Sequence, residues 1–231
     1  MIYNSESHFK YSITHWFQPI FCLKSNTIIG YEALLRDASK LQVSPVDIFK
    51  EAEKKGLQNV LDLISIETAY ASFKDRASIL FLNIFPTTLL WSEFLSWWDE
   101  HIQYQDNIAL ELLENKPIND WKRLKEVTKE LQSRGVKIVI DDLGGGYSFL
   151  QQWIELSPDY IKLDKYFAEN LSQNFQKQKA LKSLVELLSD TTEIIIEGIE
   201  RKEDLYVAES AGIHYAQGYL LGRPLPDIGL V

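Results

Sequence analysis

Short apolar runs in this chain are followed, one after another, by a carboxylate or amide side chain. Glu32 follows TIIGY, Asn83 follows ILFL, Glu111 follows IAL, Asp141 and Asp142 follow VKIVI, and Glu197 follows EIII. Runs of this length between turn signals read as strands, so each polar residue falls at a strand end. If the strands are parallel and close into a barrel, their carboxyl ends converge on one mouth. Six oxygen donors gathered there suit hard divalent cations. The pattern points to an α/β barrel with metal-dependent chemistry.

Helix signals separate the strands. ITHWFQPIFCL and NTIIGYEALLR read as a hairpin joined by the polar turn around Ser25 and Asn26. Ser44 before Pro45 opens a helix that Gly56 stops, and a second helix is expected over about Leu57–Lys74. SILFLNI leads into a helix around Thr88–His101, and NIALELLE into one over about Asn119–Arg134, closed by Gly135. VKIVIDD, DYIKLD and EIIIEGIE continue the alternation, with helices expected at Gln176–Ser189 and Lys202–Ala211 and HYAQGYLLG as the last strand. Such alternation favours a parallel sheet.

With 231 residues, 45% of them hydrophobic, the chain matches one barrel of roughly 200 to 250 residues. We expect a tail over residues 1–10 and a single domain over 11–231. A formal charge of −9 disfavours nonspecific binding to DNA or RNA polymers or to an anionic membrane surface. Cys22 is the single cysteine, so no intrachain disulfide forms, and the opening MIYNSESHFK has no secretory apolar stretch. No run reaches the roughly 18 apolar residues of a membrane span. These features imply a cytoplasmic protein without membrane insertion.

FQPI at Gln18, YEALLR at Glu32–Arg36, LNIFP at Asn83, ELLE at Glu111–Glu114 and DDLGGGYSFL from Asp141 occur in that order. DYIKLD around Lys162, IEGIE at Glu197–Glu200 and QGYLLGRP at Gln217 follow. In order and approximate spacing, from Tyr11 to Leu225, these motifs resemble the EAL-domain family. The resemblance implies a modified (β/α)8 barrel, of the TIM type, whose first strand is antiparallel. It also implies a cyclic-di-GMP phosphodiesterase that yields linear pGpG.

Carried over by position, Glu32, Asn83, Glu111 and Asp141 hold a first metal ion, and Asp141, Asp142 and Glu197 help hold a second. All are oxygen donors, which suit Mg2+ or Mn2+. His8, His15, His101 and His214 lie outside the ligand motifs, which makes zinc the weaker assignment. The resemblance assigns Lys162 to the nucleophilic water and Glu200 to positioning that lysine; which group takes the proton is left open. Gln18, Arg36 and Gln217 match substrate-side positions, and the planar fork of Arg36 suits phosphate oxygens. Gly144–Gly146 allow unusual backbone conformations. The family links this loop to metal binding and dimer contacts, with Glu114 as its anchor, so a homodimer is expected, and a regulatory protein partner is conceivable but unspecified.

Taken singly, a carboxylate at a strand-to-helix junction is more often a helix cap or solvated surface. Asn83 can satisfy turn backbone, Lys162 can pair with Asp159 or Asp164, and Glu200 can begin a helix. Trp91, Phe94, Trp97 and Trp98 read as the core face of a helix. The sequence departs from the family pattern at Phe85, Leu113, Leu143 and Gly145. It also has one residue fewer than expected between Lys162 and Glu197. A receptor that binds cyclic-di-GMP without turnover is the alternative function, and a ligand-independent interaction module the third.

Overall fold

Eight strands close into a barrel in chain order. The computed structural model describes residues 11–39, 43–73, 77–103, 106–113, 118–143 and 149–227. The strands are β1 (Ile13–Cys22), β2 (Thr27–Asp37), β3 (Ile79–Ile84), β4 (Ile108–Leu112), β5 (Lys137–Leu143), β6 (Tyr160–Leu163), β7 (Glu193–Ile196) and β8 (Tyr215–Ala216). β1 is antiparallel to both of its neighbours, β2 and β8, and every other pairing is parallel. The hairpin and antiparallel first strand expected from the sequence are thus present.

The helices are α1 (Pro45–Lys54), α2 (Gln58–Ser72), α3 (Pro86–Leu89), α4 (Phe94–His101), α5 (Trp121–Ser133), α6 (Phe149–Leu156), α7 (Lys165–Ala168), α8 (Phe175–Leu188) and α9 (Lys202–Ser210). Ser44 caps α1 by accepting a hydrogen bond from the Val46 backbone N–H at 3.2 Å. Asp120 caps α5 through the Arg123 N–H at 2.9 Å. The single helix expected over Thr88–His101 is instead two, α3 and α4, because the chain turns through Leu90–Glu93. Phe94 and Trp98 are fully buried and Trp97 nearly so, which makes this face core. The last strand is also shorter than HYAQGYLLG: after Ala216 the chain turns, with Leu221 and Gly222 N–H groups both donating to Gly218 O.

Successive strand side chains point to opposite faces, and this alternation builds the barrel interior in layers. Ile20, Phe81, Ala109, Val139 and Ile195 form a buried cluster inside it, joined by Tyr160 and Tyr215. Gly30 occupies the β2 place. A Cβ there would lie 2.8 Å from the Phe81 ring and 2.3 Å from the Ile79 carbonyl oxygen, so glycine makes room for that ring. Two residues nearer the mouth on each strand, or just past its end, stand Gln18, Glu32, Asn83, Glu111, Asp141, Lys162, Glu197 and Gln217. On antiparallel β1 the mouthward residue precedes the apolar one; on the other seven it follows. An apolar floor thus carries a ring that is polar at every strand. A register irregularity in β5 between Ile140 and Leu143 falls at Asp141 and Asp142, and such bulges re-aim side chains beside functional sites.

Buried Asp62, on α2, locks the turn that follows Asn83. Its Oδ2 accepts hydrogen bonds from the Phe85 N–H at 2.9 Å and the Thr88 hydroxyl at 2.5 Å. Burial pushes its carboxyl up to about 7, overcoming those two hydrogen bonds. The folded chain then holds a proton between about pH 4 and 7 that the unfolded chain has lost, so stability falls as pH rises through that window. Buried His15 acts in the opposite sense. Burial, aided by Arg36, lowers it to about 4, so its contribution is lost as pH falls from 6.5 toward 4. In Asp62→Asn the first effect disappears. Urea unfolding should show the stability of the wild type, relative to the variant, falling by about 1.4 kcal/mol per pH unit between pH 4.5 and 6.5 and levelling off above about pH 8.

Candidate active site

Lys162 on β6 is 1% exposed, and its ammonium is the centre on which the ring converges. Its Nζ lies 2.6 Å from Glu197 Oε1, 3.0 Å from Glu111 Oε1, 3.1 Å from Glu32 Oε2 and 3.6 Å from Asp141 Oδ1. These carboxylates come from β2, β4, β5 and the end of β7, so one cation ties together strands around the barrel. The surface pairing considered for Lys162 does not form. Asp159 accepts from Lys137 and the Ile138 N–H, while Asp164 caps α7 through the Tyr166 N–H.

Amides complete the ring. Gln217 Nε2 donates to Glu32 Oε2 at 2.7 Å and Asn83 Nδ2 to Glu32 Oε1 at 3.3 Å. Gln18 Nε2 donates to the Gly222 carbonyl at 3.1 Å. Burial pushes the Glu32 carboxyl upward, but Lys162, Gln217 and Asn83 outweigh it and hold the group below its ordinary value. Glu111 goes the other way: burial and the charge of Glu32 raise it well above the usual carboxylate range against Lys162. Burial also pushes Glu197 up, to about 8. For Lys162, burial alone favours the neutral amine, yet Asp141, Glu111, Glu197 and Glu32 together raise it well above its ordinary value.

Four carboxylates therefore face one ammonium, and if all ionise the buried site carries an excess of negative charge. Neither Glu111 carboxylate oxygen accepts a hydrogen bond among the described residues, although both are buried. Such an oxygen-rich site, short of positive charge, fits hard divalent cations. Among the described residues no three His, Cys, Asp or Glu side chains are gathered closely enough to hold a metal by themselves. Here the carboxylates converge on Lys162 instead.

Above the ring opens a cavity of about 470 Å³, walled by Gln18, Glu32, Asp141, Glu197, Glu200 and Gln217 among others. Its volume is that of a small-molecule site. Glu200 stands exposed at its rim and makes no ion pair with Lys162, whose partners are the four carboxylates above. Arg36 lies on the same face of β2 as Glu32, about 13 Å further along the strand. It is outside the cavity wall, with Nη1 donating to Leu35 O at 2.8 Å and its guanidinium 5.5 Å from the Trp16 ring centroid. Of Asp142 only the backbone in β5 is described, and Glu114 and Gly144–Gly146 lie outside the described residues. Asp164, Lys165 and Tyr219 also wall the cavity and were not foreseen. Tyr219 stood in view two residues after Gln217, within a segment read as strand.

A family model described as the EAL domain matches residues 10–224. The chain belongs to the EAL domain family. Escherichia coli PdeG, named a probable cyclic di-GMP phosphodiesterase, is 28% identical over 235 residues, an alignment that covers 95% of this chain and 46% of PdeG. Klebsiella pneumoniae BlrP1, solved in calcium and manganese complexes with cyclic-di-GMP, superposes with TM-scores of 0.84 and 0.83 at 26% and 27% identity. Those matches cover 94% and 96% of this chain and 57% and 58% of BlrP1. The EAL barrel thus spans less than half of PdeG and rather more than half of BlrP1.

Lys162→Met tests the central tie, because methionine keeps the bulk and removes the charge. In metal-free protein at pH 8 the variant should lose about 3 kcal/mol of unfolding free energy, the scale for stranding buried partners of an ion pair. Added Mn2+ should recover part of that loss in the same urea titration.

Proposed function

We propose that this EAL barrel, residues 11–231, is a cyclic-di-GMP phosphodiesterase that hydrolyses its substrate to linear pGpG with two divalent cations, Mg2+ or Mn2+. The observation that carries the reading is the ring of polar side chains centred on Lys162, in which Glu32, Asn83, Glu111, Asp141 and Glu197 stand together at one barrel mouth. PdeG's name and BlrP1's complexes with a divalent metal and cyclic-di-GMP support the same substrate and cofactor class.

Glu32, Asn83, Glu111 and Asp141 would hold one ion, and Asp141, Asp142 and Glu197 the other. Paired divalent ions supply a water of lowered pKa and positive charge against the phosphodiester as its negative charge grows. The remaining work falls to the chain. Lys162, whose ammonium faces four carboxylates, is a hydrogen-bond donor and a fixed positive charge at Nζ. It orients the attacking water. Gln217 and Asn83 fix both oxygens of Glu32, so that ligand reaches the mouth in one orientation. Gln18 and Gln217 face the substrate from the cavity wall, and Arg36, further along β2 outside that wall, is the expected phosphate contact, its planar fork suited to phosphate oxygens. Glu200, at the rim, acts from the cavity wall.

Among the described residues no helix is long and apolar enough to cross a membrane. Dimerisation, expected from the resemblance, rests on a loop and on Glu114, both beyond the described residues.

Purified protein incubated with cyclic-di-GMP and Mg2+ or Mn2+ should release pGpG, resolved by chromatography. EDTA should stop the reaction. Glu32→Ala should lower turnover by more than the roughly 10–100-fold that loss of an outer ligand partner costs. Binding of cyclic-di-GMP with no product would move the assignment to a receptor.

A further inference from the structure

A buried carboxylate is costly unless the fold uses it, and Asp62, outside the Lys162 ring, aims its hydrogen bonds at a single turn. It lies on α2 and is 1% exposed. Its Oδ2 takes both the Phe85 N–H, at 2.9 Å, and the Thr88 hydroxyl, at 2.5 Å. Oδ1 is buried as well and accepts nothing among the described residues. The turn so held is the one by which the chain leaves β3 just after Asn83.

The Asn83 side chain is itself loosely tied. Its Nδ2 lies 3.3 Å from Glu32 Oε1, longer than the usual N–H···O separation of about 2.9–3.0 Å. The placing of its amide therefore depends on the backbone. Asn83 and Ile84 pair with Glu111 and Leu112 in the β3–β4 ladder. One residue on, the peptide unit that joins Ile84 to Phe85 is gripped on both sides: Leu113 N–H donates to Ile84 O at 3.1 Å, and Phe85 N–H donates to Asp62. Phe85 is the N-cap of α3 and its side chain makes no capping hydrogen bond, while its ring packs edge-on against Phe49 of α1. In a capping box the side chain of the third helical residue reaches back to the N-cap N–H. Thr88 holds that third position but donates to Asp62, so a carboxylate from α2 takes the Phe85 N–H in its place.

We propose that Asp62 is a positioning residue for the first divalent-cation site, holding the Ile84–Phe85 peptide so that the Asn83 amide keeps its place beside Glu32 and Glu111. This rests on the metal-site reading above, in which Asn83 is a ligand. Groups that orient a ligand from outside the coordination sphere change metal affinity by about 10–100-fold when lost. Asp62 does not wall the cavity, so its loss weakens cation binding and leaves turnover at saturating cation nearly intact.

The test is calorimetric titration of the metal-free protein with Mn2+ alone, then the Mn2+ dependence of cyclic-di-GMP hydrolysis, for the wild type, Asp62→Ala, Asp62→Asn and Leu188→Ala. The last opens a cavity at the buried end of α8, beside the start of β7 and away from the mouth, and so reports general destabilisation. Asp62→Ala should raise the Mn2+ dissociation constant of one site, and the half-saturating Mn2+ concentration for hydrolysis, about ten-fold, with kcat at saturating Mn2+ within about three-fold. Asp62→Asn should stay within about three-fold on both, because an amide oxygen in the Oδ2 position accepts the same two bonds. Leu188→Ala should bind Mn2+ as the wild type does. Wild-type Mn2+ affinity in Asp62→Ala overturns the proposal, as does an equal loss in Asp62→Asn or in Leu188→Ala. If Asp62→Ala does not fold, Thr88→Val decides: it frees the carboxylate from α3, a loss of about three-fold upholds the proposal and an unchanged affinity overturns it. A wild type that binds Mn2+ without hydrolysing the dinucleotide loses the phosphodiesterase reading, and the affinity comparison still decides Asp62. A wild type that binds no Mn2+ overturns both.

Discussion

A buried ammonium surrounded by four carboxylates is the interaction on which this molecule depends. Each carboxylate alone would be expensive beneath a barrel mouth, and so would the lysine. Together they satisfy one another across strands that are distant in sequence, which makes the ring both a structural tie and a functional centre. The tie is incomplete by charge, since four acids meet one base. Burial, reinforced by the neighbouring carboxylates, pushes Glu111 and Glu197 up, while Glu32, with two amide donors and the lysine, is held down. Neighbouring carboxylates with opposite shifts show an environment in which added positive charge has somewhere to act.

The ring is possible because of what lies beneath it. Ile20, Phe81, Ala109, Val139 and Ile195 fill the barrel so that the polar layer faces the mouth instead of a water-filled bore. Gly30 is part of that arrangement: a larger residue would displace Phe81 and, through it, the level at which Glu32 stands two residues on. From outside, Asp62 on α2 holds the backbone immediately after Asn83. Helix packing, apolar floor and polar ring are thus three successive supports for a few oxygen atoms.

How much of this was legible follows from strand direction and length. Glu32, Asn83, Glu111, Asp141 and Glu197 announce themselves because a parallel strand that ends at the mouth changes from apolar to polar there. Gln18 obeys the same rule in reverse, its polar residue preceding the apolar one because β1 runs the other way, so only its motif marked it. Lys162 sits inside the short run YIKL, where a lysine reads as surface; that it is buried, at 1% exposure, depends on seven other strands. The split between α3 and α4 and the two-residue β8 escaped the periodicity because backbone turns, not hydrophobic pattern, end those elements. Glu114 and the glycine run were legible as motifs, but lie beyond the described residues.

The brevity of β8 also shapes the mouth. A strand that continued through Gly218–Gly222 would keep its side chains alternating between barrel interior and helix layer. Ending at Ala216 instead frees the chain to fold back, with Leu221 and Gly222 closing on Gly218, and turns Tyr219 into the cavity wall. The two glycines that allow this are required by contact with Ile199 and Pro19, which ties the loop to β1 and to the end of β7. Those elements also carry Gln18 and Glu197. The aromatic wall and the polar ring are therefore set by one set of backbone contacts, so a change that loosens the QGYLLG turn disturbs Gln18 and Glu32 through the Gly222 carbonyl and the Gln217 amide as well as Tyr219.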